Sequence, residues 1–200
     1  MEQYSFLDWD KQNGTVPVTW KHEDYINIPW APLDTKLVNA NVQNLENPPF
    51  YTDGKNFGRY QGYFQIGNYV PDFEKISQGS FVPDSVDKIF GPAVRSFHLD
   101  NIVYAFAKYA PGQILPWHQD GYPTYRRNNN AELDEVVRIM VFLHDPAPGH
   151  QLWIEDKLCD GPAGSWYAWQ GDTTHMAANL AEVDRYVIQI TGKNPYYKKK

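Results

Sequence analysis

A series of short apolar runs, each closed by glycine or proline, most constrains the fold of this chain. We predict strands at residues 102–109, 136–144, 151–155, 165–169 and 185–191. No long helical pattern separates these runs, and strands of this length with turn residues between them favour a β-sandwich or barrel. An aromatic content of 16%, together with 14 Gly and 15 Pro, points the same way.

The first hundred residues lack this regularity, because prolines interrupt them repeatedly. Within them we predict one short helix, over residues 85–90, stopped by Gly91 and Pro92. We therefore expect a single domain over residues 1–200. It comprises an irregular, partly helical supporting region (1–100), a β-rich core (101–192) and a basic tail (193–200).

Charge and composition exclude several classes of function. A net charge of −6 argues against a nucleic-acid partner, because phosphate contacts need a surplus of Lys and Arg. The one cysteine, Cys159, excludes an intrachain disulfide and a zinc site built from several thiolates. No apolar run reaches the roughly 20 residues that span a bilayer, and no signal-peptide pattern opens the sequence. We expect a cytoplasmic protein without a membrane partner; the sequence does not predict its oligomeric state.

Alternation along two of the strands separates an apolar face from a face that carries an arginine. In residues 185–191 one face comprises Tyr186, Ile188 and Ile190, and the other Arg185, Val187, Gln189 and Thr191. In residues 136–144 the aliphatic face comprises Val137, Ile139, Val141 and Leu143, and the other Arg138, Met140, Phe142 and His144. A buried arginine needs an anion, since burying it unpaired costs several kcal/mol. These strands therefore suggest a cavity that holds an anion, with solvent-facing arginines as the alternative.

A His-x-Asp motif can supply two ligands to one metal ion, because residues i and i+2 of an extended chain point the same way. The sequence has three such motifs, beginning at His22, His98 and His118. We favour His118 and Asp120, which follow a strand and a Pro-Gly turn and lead into the strand-rich half. A third ligand from elsewhere would complete a set of two histidines and one carboxylate, which suits non-haem Fe(II).

His175 and Arg185 follow this motif at intervals that carry a family resemblance. The sequence resembles the Fe(II)- and 2-oxoglutarate-dependent oxygenases, which have His-x-Asp, a distal His and a basic residue about ten positions later. The resemblance covers about residues 100–192. It implies a mainly β, cupin-like jelly roll, the double-stranded β-helix, in which His118, Asp120 and His175 hold Fe(II). It also implies that Arg185 binds the distal carboxylate of 2-oxoglutarate, and that O2 takes the remaining metal position.

The resemblance implies a hydroxylase that releases succinate and CO2. Residues 108–112 are similar to the entry strand of the prolyl hydroxylases, and an arginine like Arg138 occurs in the aspartyl and asparaginyl hydroxylases. The substrate would be an amino-acid side chain, in a protein or peptide or in a small molecule. Arg138 would bind the co-substrate or a substrate carboxylate, or serve a structural ion pair. Tyr104 or Thr191 would donate a hydroxyl to the distal carboxylate or simply pack in the barrel. Residues 121–130 read as a loop, either a substrate lid or plain surface.

Two other functions fit parts of the sequence. One is a cupin-like metalloenzyme that does not use 2-oxoglutarate, against which the interval from His175 to Arg185 argues. The other is a non-catalytic jelly-roll binding module, for example for carbohydrate. The 7 Trp and 14 Tyr permit such a module but do not account for the metal-ligand spacing.

Overall fold

The computed structural model describes residues 9–28, 68–69, 84–109, 111 and 113–197. Its helices are α1 (His22–Ile26), α2 (Asp84–Arg95) and α3 (Pro123–Asn129), with a short 3-10 helix at Leu133–Glu135. Its strands are β1 (Asn13–Thr15), β2 (Asn68–Tyr69), β3 (Asp100–Tyr109), β4 (Gln113–His118), β5 (Val136–Phe142), β6 (His150–Ile154), β7 (Lys157–Leu158), β8 (Ser165–Gln170), β9 (His175–Asn179) and β10 (Arg185–Lys193).

From β3 onward the chain moves back and forth between two antiparallel sheets. The larger sheet has the order β1-β8-β5-β10-β3-β2, and the smaller one has the order β4-β9-β6-β7. Successive strands thus alternate between the sheets, apart from the β6–β7 hairpin, and the two sheets face each other as in a jelly roll. The predicted double-stranded β-helix is confirmed, and all five strands predicted from the sequence are present.

The two faces of the larger sheet pack into two different cores, as the alternation predicted. The outer face packs against the N-terminal elements, and its members include Val137, Ile139, Val141, Leu143, Tyr186, Ile188 and Ile190. The inner face meets the smaller sheet in the barrel interior, where the buried residues include Tyr109, Met140, Phe142, Leu152, Trp169, Ala177 and Val187. Arg138 on β5 and Arg185 on β10 alternate in step with these buried residues, so both are on the face of the sheet that meets the barrel interior.

The N-terminal half adds to the sheet as well as to the core. Strand β1 pairs with β8 and β2 pairs with β3, so the two strands extend opposite edges of the larger sheet. Residues 29–67 and 70–83, and the end of the predicted basic tail at 198–200, lie outside the described residues. None of the helices in the described part of the chain is long and apolar enough to cross a bilayer.

The predicted end of the helix at Gly91 and Pro92 is wrong, because α2 continues to Arg95. A proline in a helix removes one backbone hydrogen bond. Here the second half of the helix is held by tertiary contacts, since Phe90, Ala93 and Val94 are buried against the sheet. Arg95, which lies one turn beyond the proline, also donates two hydrogen bonds of 3.0 Å to Asp87.

Strands β4 and β9 were not predicted, although they carry the metal-ligand candidates. β4 contains Pro116 and has a register irregularity between Leu115 and His118. β9 is a five-residue stretch, His-Met-Ala-Ala-Asn, without strand-forming β-branched residues. Both strands form because they pair with each other and β9 also pairs with β6.

Candidate metal centre

The pairing of β4 with β9 brings the two candidate histidines together. His118, the last residue of β4, lies opposite His175, the first residue of β9, and their ring centroids are 4.2 Å apart. Asp120 follows two residues later and completes a group whose ligand atoms all lie within 4.8 Å of one another. In the part of the chain that the structure describes, no other group of three such residues could hold a metal ion.

The three side chains present their ligand atoms to a common point. His118 Nε2 lies 3.7 Å from Asp120 Oδ1, and His175 Nε2 lies 3.7 Å from Asp120 Oδ2. His175 Nδ1 is 2.9 Å from the carbonyl oxygen of Thr173. A proton on Nδ1 donates to that oxygen and leaves a lone pair on Nε2, which is the tautomer that a metal ligand needs.

Tyr122 and Arg138 hold the Asp120 carboxylate from the other side. The Tyr122 hydroxyl donates to Asp120 Oδ2 over 2.8 Å, and Arg138 Nη2 lies 3.4 Å from the same oxygen. Arg138 Nε also donates to the Tyr122 hydroxyl oxygen over 3.3 Å, and its guanidinium lies 4.9 Å from the centre of the Tyr122 ring. Such partners fix the orientation of a ligating carboxylate.

Electrostatics favour the protonation states that a metal requires. Burial alone would raise the pKa of Asp120, but Arg138 and the two histidines outweigh it and hold that pKa below its usual value. Burial lowers the pKa of His175 to about 4. At neutral pH the group therefore offers a carboxylate and a neutral His175 imidazole, which are metal-ligating forms.

The donor set fits a non-haem iron ion. Two imidazole nitrogens and one carboxylate oxygen match the facial set of Fe(II) oxygenases, which leaves positions for other ligands. A hydrogen-bond donor, the indole N–H of Trp169, also lies beside the group. Trp169 packs 4.7 Å from the His175 ring, and its buried indole N–H has no hydrogen-bond partner among the described residues. A buried donor without an acceptor is rare and calls for a ligand atom or water.

Arg185 lies deeper in the barrel, at the start of β10. It is only 3% exposed, and its guanidinium lies over the rings of Tyr109 and Phe142, at 5.8 and 5.2 Å from their centres. Its Nη1 donates to the backbone carbonyl oxygens of Gln151 and Ala178. No carboxylate of the described residues lies within ion-pair distance of it. The neighbouring Asp184 pairs with Lys108 instead, at 2.6 Å.

A cavity of about 260 Å³ lies at the end of the barrel that carries Arg138, on the opposite side of the metal group from Arg185. It lies between α3 and the larger sheet. Thr191 lines it and pairs in register with Arg138.

The structure places Tyr104 and Thr191, the predicted hydroxyl donors to the distal carboxylate, away from Arg185. Tyr104 lies in the outer core, and its hydroxyl donates to Asp87 on α2 over 3.0 Å. Thr191 shares the inner face with Arg185 but is six residues further along β10, a separation of about 20 Å in a strand. Strand alternation in one case and strand length in the other therefore separate these two residues from Arg185.

Residues 121–130, predicted as a loop, contain the helix α3 instead. Tyr122 precedes the helix with a left-handed backbone (φ 45°), and Pro123 opens it. Tyr125 is buried, and its hydroxyl donates to the backbone carbonyl oxygens of Asp100 and Asn101. The polar composition of this segment favoured a loop. Tyr122 and Tyr125, which are three residues apart, nevertheless pack against the barrel and attach the segment to it.

The other His-x-Asp motifs do not form such a group. His22 is on α1 and its Nδ1 lies 2.9 Å from the Tyr25 hydroxyl. His98 has a left-handed backbone (φ 53°) between α2 and β3. Sequence reasoning assigned no role in the metal centre to Trp169 or Tyr122. The spacing of Tyr122, two residues beyond Asp120, was the available signal.

Comparison with known proteins gives matches to solved structures at low identity. No family model matches the sequence, and no curated protein matches it. Among solved structures, a predicted oxalate decarboxylase from Thermotoga maritima is 14% identical, with a TM-score of 0.34 over 46% of this chain and 65% of that one. The chain thus covers just under two thirds of that protein.

KdgF from Halomonas sp. is 16% identical over 46% of this chain and 68% of its own, with a TM-score of 0.34. A cupin protein from Bacteroides fragilis is 13% identical over 52% of this chain and 76% of its own, with a TM-score of 0.36. Similarity at this level supports no conclusion about the activity of this chain.

Proposed function

We propose that the protein is an Fe(II)- and 2-oxoglutarate-dependent dioxygenase that hydroxylates an amino-acid side chain. One combination of features carries the proposal. Two histidines and a carboxylate converge in a double-stranded β-helix, and the interior of the same barrel holds a buried arginine that pairs with no carboxylate of the described residues. The first feature suits Fe(II), and the second suits the distal carboxylate of a dicarboxylic acid.

The overall reaction balances without any further oxidant. The substrate C–H, O2 and 2-oxoglutarate give the alcohol, succinate and CO2. One oxygen atom enters the new C–OH bond and the other enters the succinate carboxylate, while the bond between C1 and C2 of 2-oxoglutarate breaks. Bound iron supplies the redox chemistry for this exchange.

The residues of the chain hold and orient the reactants. His118, Asp120 and His175 would bind the metal, and Tyr122 and Arg138 keep the Asp120 carboxylate in place. The interior side chains around them are apolar and exclude water, which strengthens electrostatic contacts within the barrel.

The position of Arg185 suits the distal end of the co-substrate. Its Nη1 contacts the carbonyl oxygen of Ala178, three residues along β9 from His175. Three residues of a strand span about 10 Å. A five-carbon dicarboxylate that is bound to the metal at one end and hydrogen-bonded at the other covers a comparable span. Arg185 would then contribute a planar guanidinium with several donors to one carboxylate.

Succinate formation tests this proposal. The protein should release succinate from 2-oxoglutarate only when both Fe(II) and O2 are present, and His118→Ala and His175→Ala should abolish the release. His98→Ala supplies the matched control, because His98 belongs to the motif that lies outside the metal group. A protein that binds iron but forms no succinate with any amino acid or peptide would favour the cupin-like alternative. A protein that binds no metal would favour a binding module.

A further inference from the structure

The cavity beside α3 is adjacent to the metal group but separate from the Arg185 site. Its lining includes Ala105, Tyr122, Asn128, Arg138, Gln189 and Thr191. Tyr122 and Arg138 both contact Asp120, so a molecule in this cavity lies next to the metal ligands. Arg185 does not line it and is at the other end of β10 from Thr191.

The volume of the cavity limits what it can hold. The volume is about 260 Å³. This is slightly below the range of about 300–1,000 Å³ that is typical of pockets for drug-sized ligands. A free amino acid fits such a space, whereas a peptide segment needs room for the residues on both sides of the one that reacts.

The wall formed by α3 is attached to strand β3 and is also held by local contacts. The Tyr122 hydroxyl attaches its first turn to Asp120, and the Tyr125 hydroxyl attaches its middle to the carbonyl oxygens of Asp100 and Asn101. At its end Arg126 Nε donates to the carbonyl oxygen of Ala131. A helix that is held in this way forms a fixed wall on one side of the cavity.

The lining is mainly apolar, but several of its side chains can form hydrogen bonds with a polar molecule. Side-chain amides and hydroxyls come from both walls: Thr124, Asn128 and Asn129 from α3, and Gln189 and Thr191 from β10. Arg138 is the one charged side chain among the described residues that line the cavity. Such convergent polar groups in a small cavity give orientation and specificity to a small ligand.

We propose that this cavity binds the primary substrate, and that the substrate is a free amino acid or another polar molecule of that size rather than a residue of a protein. The inference rests on the proposed oxygenase function and narrows its substrate class. It makes α3, and Asn128 in particular, determinants of specificity.

The test compares free amino acids with the same residues inside blocked peptides. Each compound is added to the protein with Fe(II) and 2-oxoglutarate, and succinate is measured. Binding is measured separately by calorimetry on protein loaded with Mn(II) and N-oxalylglycine, an inert analogue of 2-oxoglutarate. We expect at least one free amino acid both to bind and to stimulate succinate formation, and the matching peptide to do neither.

Two neighbouring substitutions on α3 locate the binding site. Asn128→Phe fills the cavity from an exposed position and should lower kcat/KM for the stimulating amino acid about tenfold or more. Arg127→Phe places the same ring at an exposed position outside the lining and should leave kcat/KM within about twofold of wild type.

Three results would overturn the inference while leaving the oxygenase proposal intact. They are stimulation by peptides but not by free amino acids, an unchanged kcat/KM in Asn128→Phe, and competition between N-oxalylglycine and the amino acid for one site. The last result would assign the cavity to the co-substrate. Failure of the protein to turn over 2-oxoglutarate with any compound, together with failure to bind it, would instead refute the oxygenase proposal itself.

Discussion

Replacing Arg185 should separate co-substrate binding from the stability of the fold. The guanidinium is buried against two aromatic rings, and the described residues give it no carboxylate partner. Burial lowers the pKa of Arg185 to about 10, so the group still carries its charge at neutral pH. A dicarboxylate that binds there neutralises a charge that no carboxylate of the described residues compensates.

The size of the effect follows from this environment. Truncating one partner of a buried, hydrogen-bonded charge pair costs about 2–5 kcal/mol. Since 1.4 kcal/mol corresponds to a factor of ten, Arg185→Met should weaken 2-oxoglutarate binding by about 30-fold or more. Arg185→Lys should have an intermediate effect, because an ammonium keeps the charge but loses the planar set of donors.

Stability of the metal-free protein should respond differently. Met keeps the apolar stem of the side chain and removes an unpaired buried charge. That relief offsets the two lost hydrogen bonds to the carbonyl oxygens of Gln151 and Ala178. The free energy of unfolding should therefore change by less than about 2 kcal/mol.

Calorimetric titration of the Mn(II)-loaded protein with 2-oxoglutarate measures the affinity, and denaturant unfolding measures the stability. Arg138→Ala is the comparison, since Arg138 also faces the barrel interior but contacts Asp120. Full affinity for 2-oxoglutarate in Arg185→Met, combined with lost affinity in Arg138→Ala, would show that Arg185 does not bind the distal carboxylate and would place that carboxylate on β5.

Three further predictions concern the metal group and acid stability. His118→Ala, Asp120→Ala and His175→Ala should each remove bound iron, as measured by metal analysis after dialysis, whereas His98→Ala should retain it. Tyr122→Phe removes the donor to Asp120 Oδ2 and should lower metal affinity by about 10–100-fold without loss of the fold, as measured by Mn(II) titration. His144 Nε2 accepts a hydrogen bond from the Tyr186 N–H over 3.0 Å, and burial lowers the pKa of His144 below 6.5. The unfolded chain therefore takes up the proton first, so stability should be full above about pH 6.5 and fall below it. His144→Gln should show a smaller loss between about pH 6.5 and 5 in denaturant unfolding, and an equal loss would exclude His144 as its source.

The sequence predicts the larger sheet well because its strands are long, apolar and bounded by turn residues. The alternation of Arg185 and Val187 with Tyr186 and Ile188 assigned their faces correctly, since one face meets the N-terminal core and the other meets the smaller sheet. Periodicity does not reveal β4 and β9, whose short segments become strands only through pairing with each other.

The metal group could be anticipated from spacing, but its surroundings could not. His118, Asp120 and His175 form a recognisable pattern along the chain, and the structure brings them together. The contact of Tyr122 with Asp120 depends on a left-handed residue and a following helix, neither of which the polar sequence of residues 121–130 signals. The separation of Thr191 from Arg185, by contrast, already follows from the predicted strand 185–191, because six residues of a strand span about 20 Å.

Anaerobic titration of the Fe(II)-loaded protein with 2-oxoglutarate tests whether His118, Asp120 and His175 hold iron while Arg185 binds the co-substrate beside it. We predict a weak visible charge-transfer band that saturates with 2-oxoglutarate in the wild-type protein. The band should be absent in His175→Ala and require much higher 2-oxoglutarate in Arg185→Met. Bound iron without a band at any 2-oxoglutarate concentration would contradict the account and favour a metalloenzyme that does not use 2-oxoglutarate.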